Sequence, residues 1–142
     1  MGLSLEDKIE LMELAGRYGD AIDDRNWAAL NEVFADDAVF DVPSIKAHMV
    51  GLEGIKRFMD ENEELHPAAH LMTNIHSIET ANGVELRFRG ILPRNMVSDD
   101  GSSTIIHGSY YDTVAKTESG WRVKTRVFLT ERRDRKNGTH YD

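Results

Sequence analysis

The sequence predicts an α+β domain, a cone in which three N-terminal helices pack on one face of a strongly curved, mostly antiparallel sheet. Three observations predict it. Apolar residues recur at a helical period in the first part of the chain, the period changes to two after His66-Pro67, and the alternating segments are joined by short turns. The 142 residues suit a single domain, expected over 1–131, followed by a basic, flexible tail over 132–142.

The first helix begins at Ser4, which can cap it, with Asp7 three residues on where the helix dipole favours an acid. Leu5, Ile9, Met12, Ala15, Gly19 and Ile22 mark its apolar stripe, widened by Leu11, Leu14 and Tyr18. After the Asp23-Asp24-Arg25 break a short second helix is expected, capped by Asn26, with Trp27, Leu30, Val33 and Phe34 on one side. Ala38 to Pro43 reads as a short strand stopped by proline, and Gly51 to about Glu64 as a third helix. Ala69 to Thr80 then runs extended, Asn82-Gly83 makes a hairpin turn, and Val84 to Arg89 alternates. Asp99-Asp100-Gly101 and Glu118-Ser119-Gly120 are further turns, flanking strands over Ser103–Lys116 and Trp121–Thr130.

Composition excludes several classes. With no cysteine there is no disulfide framework, thiolate metal site or cysteine nucleophile, which fits a reducing cytoplasm. No apolar run reaches the ~18 residues of a membrane span, so no membrane partner is expected. Lys and Arg total 17 against 25 Asp and Glu, a net charge of −8. An acidic body argues against nucleic acid as a partner, since phosphate binding needs a continuous basic surface. No histidine pair has the spacing of a helical zinc site and no cysteine can complete a ligand set, so no metal is expected.

A cone of this kind holds one deep pocket, lined from the end of the first helix and from alternate strand positions. His70 and His107 lie among apolar neighbours, where an imidazole is costly unless paired. Each is either a structural histidine bonded to backbone or a working group of the pocket. His66 and His140 are expected to be exposed. Asp20, Asp23 and Asp24 stand at the end of the first helix, against its dipole. Asp23, beside Ile22 and one turn after Tyr18-Gly19, is the one placed to face a pocket and orient an imidazole. Asn74 lies four residues past His70 and so on its face of an ideal strand. His107, Ser109 and Tyr111 share one face of their strand, Tyr110 and Asp112 the other. Arg126 either supplies a cation to the cavity or pairs with a surface acid.

The strings YGDAIDDRNWAALNEVFADDAVFDV, G-x-x-G-I-x-x-F, AAHLMTN, HGSYYDT and GWRVKTRVF resemble the SnoaL-like branch of the nuclear-transport-factor-2-like superfamily, from about Leu5 to Leu129. The resemblance implies a cystatin-like fold. The superfamily holds isomerases, dehydratases, hydrolases, cyclases and non-catalytic binders. Within it the pattern is most similar to scytalone dehydratase and hexachlorocyclohexane dehydrochlorinase, which carry out cofactor-free eliminations with an Asp–His pair. That similarity falls on Asp23 and His70, on His107, Tyr110 and Asp112 as an H-x-x-Y-x-D motif, and on Arg126. Ile22 and a position near Val42 stand where scytalone dehydratase has tyrosines, which argues against scytalone as the substrate.

The resemblance therefore implies a cofactor-independent, dehydratase-like lyase for a small cyclic or polyketide-like molecule. Asp23, His70 and His107 are its expected catalytic residues. Tyr18, Asn74, Tyr111 and Arg126 are its expected substrate contacts. A homo-oligomer, dimer or trimer, paired through the outer face of the sheet is also implied. Other readings of the fold remain open: a non-catalytic ligand-binding module, an isomerase or ring hydrolase using Asp23 as base, and the small subunit of a ring dioxygenase.

Overall fold

Ser4 closes a capping box with Asp7 in the computed structural model, which describes residues 2–97, 99, 101 and 103–130. From that cap helix α1 runs over Leu5–Asp23. Its buried stripe is Leu11, Leu14, Ala15, Tyr18, Ala21 and Ile22, while Leu5, Ile9 and Met12 are exposed. The core-facing stripe is thus displaced from the one expected. Asp7 explains the fixed start: its carboxylate accepts from Lys116 Nζ and Trp121 Nε1, both at 2.9 Å, and ties the helix to the sheet.

The segment expected as a second helix is a 3-10 turn over Trp27–Glu32, and the Asn26 side chain does not cap it. Strand β1 (Phe34–Val42) begins earlier than expected, because Val33 and Phe34 are already buried against the core. A 3-10 turn at Pro43–Ile45 leads into β2 (Ala47–Val50), a strand too short to announce itself by alternation. Helix α2 covers Leu52–Glu61, and a third 3-10 turn follows over Glu63–Leu65. Strands β3 (Leu71–Thr80), β4 (Gly83–Val97), β5 (Ser103–Thr117) and β6 (Gly120–Thr130) follow as expected from their period, except that β4 runs on beyond the alternating stretch from Val84 to Arg89. The turn expected at Asp99-Asp100-Gly101 lies partly, and the tail over 132–142 wholly, outside the described residues.

The described strands form one sheet in the order β2-β1-β6-β5-β4-β3, antiparallel except where β1 runs parallel to β6. Helix α2 packs on β1 and β2, at one edge, and α1 packs on β3, at the other edge, and on β6. The two helices thereby close the concave face of a curved sheet, and the fold is the α+β class that the sequence predicts. The core between them is rich in rings. Tyr18, Phe34, Phe40, Phe88, Tyr110 and Phe128 meet edge-on, tilted or stacked, with centroids 4.5–6.1 Å apart.

Among the described residues, no helix is long and apolar enough to cross a membrane, and no group of three or more acids or histidines is placed to hold a metal ion.

Candidate functional site

Asp23 is the last residue of α1, and His70 stands just before β3, so their contact is where helix and sheet edge meet. Both carboxylate oxygens are used on one residue. Asp23 Oδ2 accepts from the His70 backbone N–H at 2.9 Å, and Oδ1 accepts from the His70 ring at Nδ1 at 2.6 Å. A carboxylate can only accept, so the imidazole proton sits on Nδ1 and Nε2 carries the lone pair. The His70 side chain is 3% exposed. Burial lowers its pKa below the ordinary 6.5, against the opposing pull of Asp23, so the ring is a neutral acceptor at pH 7.

The close approach requires a glycine. A Cβ at Gly19 would stand 2.9 Å from His70 Cβ, a contact real side chains do not make. Immediately before Gly19, Tyr18 sets its ring edge-on against the imidazole, centroids 5.5 Å apart.

His70 and Tyr18 line a cavity of about 320 Å³ between the helices and the sheet. Most of its wall is apolar, from Phe40, Met49, Phe58, Leu92, Ile106 and Phe128. Its polar lining residues, besides His70, are Tyr18, Tyr110, Asn62, His66, Arg94, Ser44 and Thr130. Burial pushes the Tyr18 phenol up to about 12 and that of Tyr110 well above its ordinary value, so both remain protonated donors.

Several expected contacts lie elsewhere. His107 is exposed on the outer face of β5, because the inward residues of that strand are Gly108, Tyr110, Asp112 and Val114. Residues three apart in a strand face opposite ways, so His107 cannot share the cavity with Tyr110. Tyr111 is exposed for the same reason, with the Arg87 guanidinium 5.7 Å from its ring centroid. Asn74 is displaced by a bulge in β3 between Thr73 and His76, where its φ of 53° leaves the pleat, and it is exposed.

Arg126 faces inward but does not line the cavity. It is 0% exposed and forms a bidentate pair with Asp112, both bonds at 2.8 Å. Its guanidinium carbon lies 4.3–5.5 Å from the ring centroids of Tyr18, Phe34, Phe40, Phe88 and Tyr110. It is a caged core charge beneath the cavity wall rather than a cation in contact with a ligand or a surface acid.

His66, expected to be exposed, is half-buried in the wall. Its ring nitrogen Nε2 lies 2.9 Å from the Met59 carbonyl, and its ring meets Trp27 edge-on at 5.7 Å. The signal for it in the sequence is the end of α2, whose last carbonyls need donors from whatever follows.

A family model described as the SnoaL-like domain matches residues 3–127. Uncharacterized protein Rv2910c of Mycobacterium tuberculosis is 29% identical over 130 residues, covering 87% of this chain and 84% of that protein. A solved NTF2-like protein with a cystatin-like fold, from Novosphingobium aromaticivorans, is similar with a TM-score of 0.74 at 24% identity, covering 87% of this chain and 81% of that one. Hexachlorocyclohexane dehydrochlorinase LinA-type3 from Novosphingobium barchaimii gives a TM-score of 0.74 at 17% identity, over 87% and 86% of the two chains, a likeness of fold. With the family model spanning both helices and nearly the whole sheet, the chain belongs to the SnoaL-like domain family.

Proposed function

We propose that the protein is a cofactor-independent, dehydratase-like lyase acting on a small cyclic or polyketide-like carbonyl compound. The observation that carries the reading is the 2.6 Å bond between Asp23 Oδ1 and His70 Nδ1, which leaves a neutral imidazole nitrogen for a largely apolar cavity. About 320 Å³ is at the low end of ligand pockets, which suits one or two rings.

His70 Nε2 removes a proton from the carbon alpha to the substrate carbonyl. The C–H electron pair becomes the new C=C bond, the C–O bond at the beta carbon breaks, and the departing hydroxide takes the proton from the His70 imidazolium to leave as water. Asp23 stabilises that imidazolium and fixes the tautomer; acid–base help of this kind contributes on the order of 10²–10⁴ in rate. The phenols of Tyr18 and Tyr110 donate to the carbonyl oxygen as negative charge develops on it. With His107 on the outer face, the dyad supplies the only catalytic proton in this scheme. That favours one second reading, an isomerase of the ketosteroid type, in which the same proton returns to another carbon and no water leaves.

The test is exchange of alpha protons for deuterium, followed by NMR, across a library of cyclic hydroxy-ketones and aromatic polyketides. His70→Ala and Asp23→Asn should each abolish exchange while the Tm stays within a few degrees of wild type. A double variant that exchanges as fast as wild type would remove the dyad from the mechanism, and loss of water by mass spectrometry separates elimination from isomerisation.

A further inference from the structure

The C-terminal end of α2 forms one wall of the cavity, and two side chains cap it. Asn62 Nδ2 donates to the Phe58 carbonyl at 2.9 Å, and His66 lies 2.9 Å from the Met59 carbonyl. A carbonyl can only accept, so His66 Nε2 carries its ring proton. Burial lowers the His66 pKa, which keeps the ring neutral with its lone pair on Nδ1. Capping a helix C-terminus consumes donors. What remains of the two caps is His66 Nδ1, an acceptor, and on Asn62 the acceptor Oδ1 beside the second N–H of Nδ2. Such caps need nothing more when they stand in water, but Asn62 and His66 both line the cavity that His70 lines.

We infer that Asn62 and His66 form a hydroxyl subsite, and that the ligand of this cavity is a ring bearing, besides its carbonyl, a hydroxyl that donates to His66 Nδ1 or Asn62 Oδ1. That hydroxyl is retained in the product. His66 has committed its one proton to Met59 and has none to give a departing oxygen, so this wall holds an O–H and does not expel it. The two imidazoles are set in opposite tautomers, His70 by a carboxylate and His66 by a helix end. The cavity therefore meets its ligand with a base on one side and an acceptor for a fixed hydroxyl on another. This assignment rests on the cavity being the substrate site proposed above, but its test does not need turnover.

The test compares 6-hydroxy-1-tetralone with 1-tetralone by titration calorimetry. A half-buried acceptor left without its ligand hydroxyl by the second ketone makes the expected preference of wild type for the first about fivefold to tenfold. In His66→Phe, which keeps a ring against Trp27, the preference should fall to near unity. In His66→Gln, which returns an acceptor oxygen, it should partly recover. His70→Ala should leave the preference intact. Nitrogen-15 spectra of the imidazoles should show His66 protonated at Nε2 and His70 at Nδ1. Equal or undetectable binding of the two tetralones by wild type overturns the subsite, as does a preference that survives His66→Phe. A preference that follows His66, with no alpha-proton exchange in any ketone, supports the subsite while defeating the base.

Discussion

Asp112→Asn tests the caged charge directly. Asp112 and Arg126 are both fully buried, and among the described residues Arg126 Nη1 has no hydrogen-bond partner even in the intact pair. The variant leaves a guanidinium inside five rings with no counter-charge. Breaking a buried pair from one side costs about 3–5 kcal/mol, a large share of the ~5–15 kcal/mol that holds a domain together. For a chain of this length that lowers the Tm by about 10–15 °C. At a urea slope near ~2 kcal/mol/M the midpoint falls by about 2 M. The pair itself is another matter. Burial pushes the Asp112 carboxyl up while the carboxylate holds the Arg126 guanidinium charged, so the pair's attraction is set against a large desolvation cost. Replacing both partners with apolar residues, Asp112→Leu with Arg126→Met, should therefore recover most of the loss. The assay is urea denaturation followed by tryptophan fluorescence and circular dichroism, for both single variants and the double. A single variant within about 1 kcal/mol of wild type, or a double variant weaker than either single one, would refute the reasoning.

Other outcomes follow from the dyad and from the residues that lie outside the cavity. Gly19→Ala must push His70 away by several tenths of an ångström; activity should drop about tenfold to a hundredfold, while urea midpoints show a stability loss of at most about 2 kcal/mol. The pH profile of kcat/KM should be flat near neutrality and fall on the acid side with a midpoint below 6.5, since the base works only when neutral and burial holds its pKa down. The stability contribution has the same sign. As pH falls from 6.5 the unfolded histidine binds a proton before the folded one, so folding weakens until the lower folded pKa is passed, and calorimetric Tm values in that window check it. His107→Ala, Tyr111→Ala and Asn74→Ala should each keep turnover within about twofold of wild type in the same kinetic assay, because all three are exposed on the far side of the sheet.

The helix-end aspartate and the histidine before the first long strand were legible because each is costly where it stands. A carboxylate opposes the helix dipole and an imidazole among Leu71 and Met72 wants a partner, so each supplies a reason for the other. The faces of β5 were legible as a pair of sets, but which set points inward is decided across the sheet. Tyr110 pairs with Phe128 and Asp112 with Arg126, and those registers depend on a bulge between Thr113 and Val114 that no local pattern announces. Asn74 was lost to another bulge. β2 was missed because four residues carry too little alternation, and His66 because a residue before proline reads as loop until the helix end it caps is in view. Arg126 was legible as a residue of the last strand, but what surrounds it is set by five rings brought from three strands and a helix.

Because one carboxylate holds both the backbone and the ring of His70, the reactive nitrogen inherits its aim from the seam between α1 and β3. Much of the remaining lining belongs to the opposite edge: β1, the Pro43–Ile45 turn, β2 and α2. Side chains there can be exchanged for larger, smaller or differently polar ones without disturbing the seam. Such a division lets one scaffold change its clientele while its reagent stays put, and it marks Val42, Ile45, Met49 and Phe58 as the first positions to randomise for anyone wishing to redirect it.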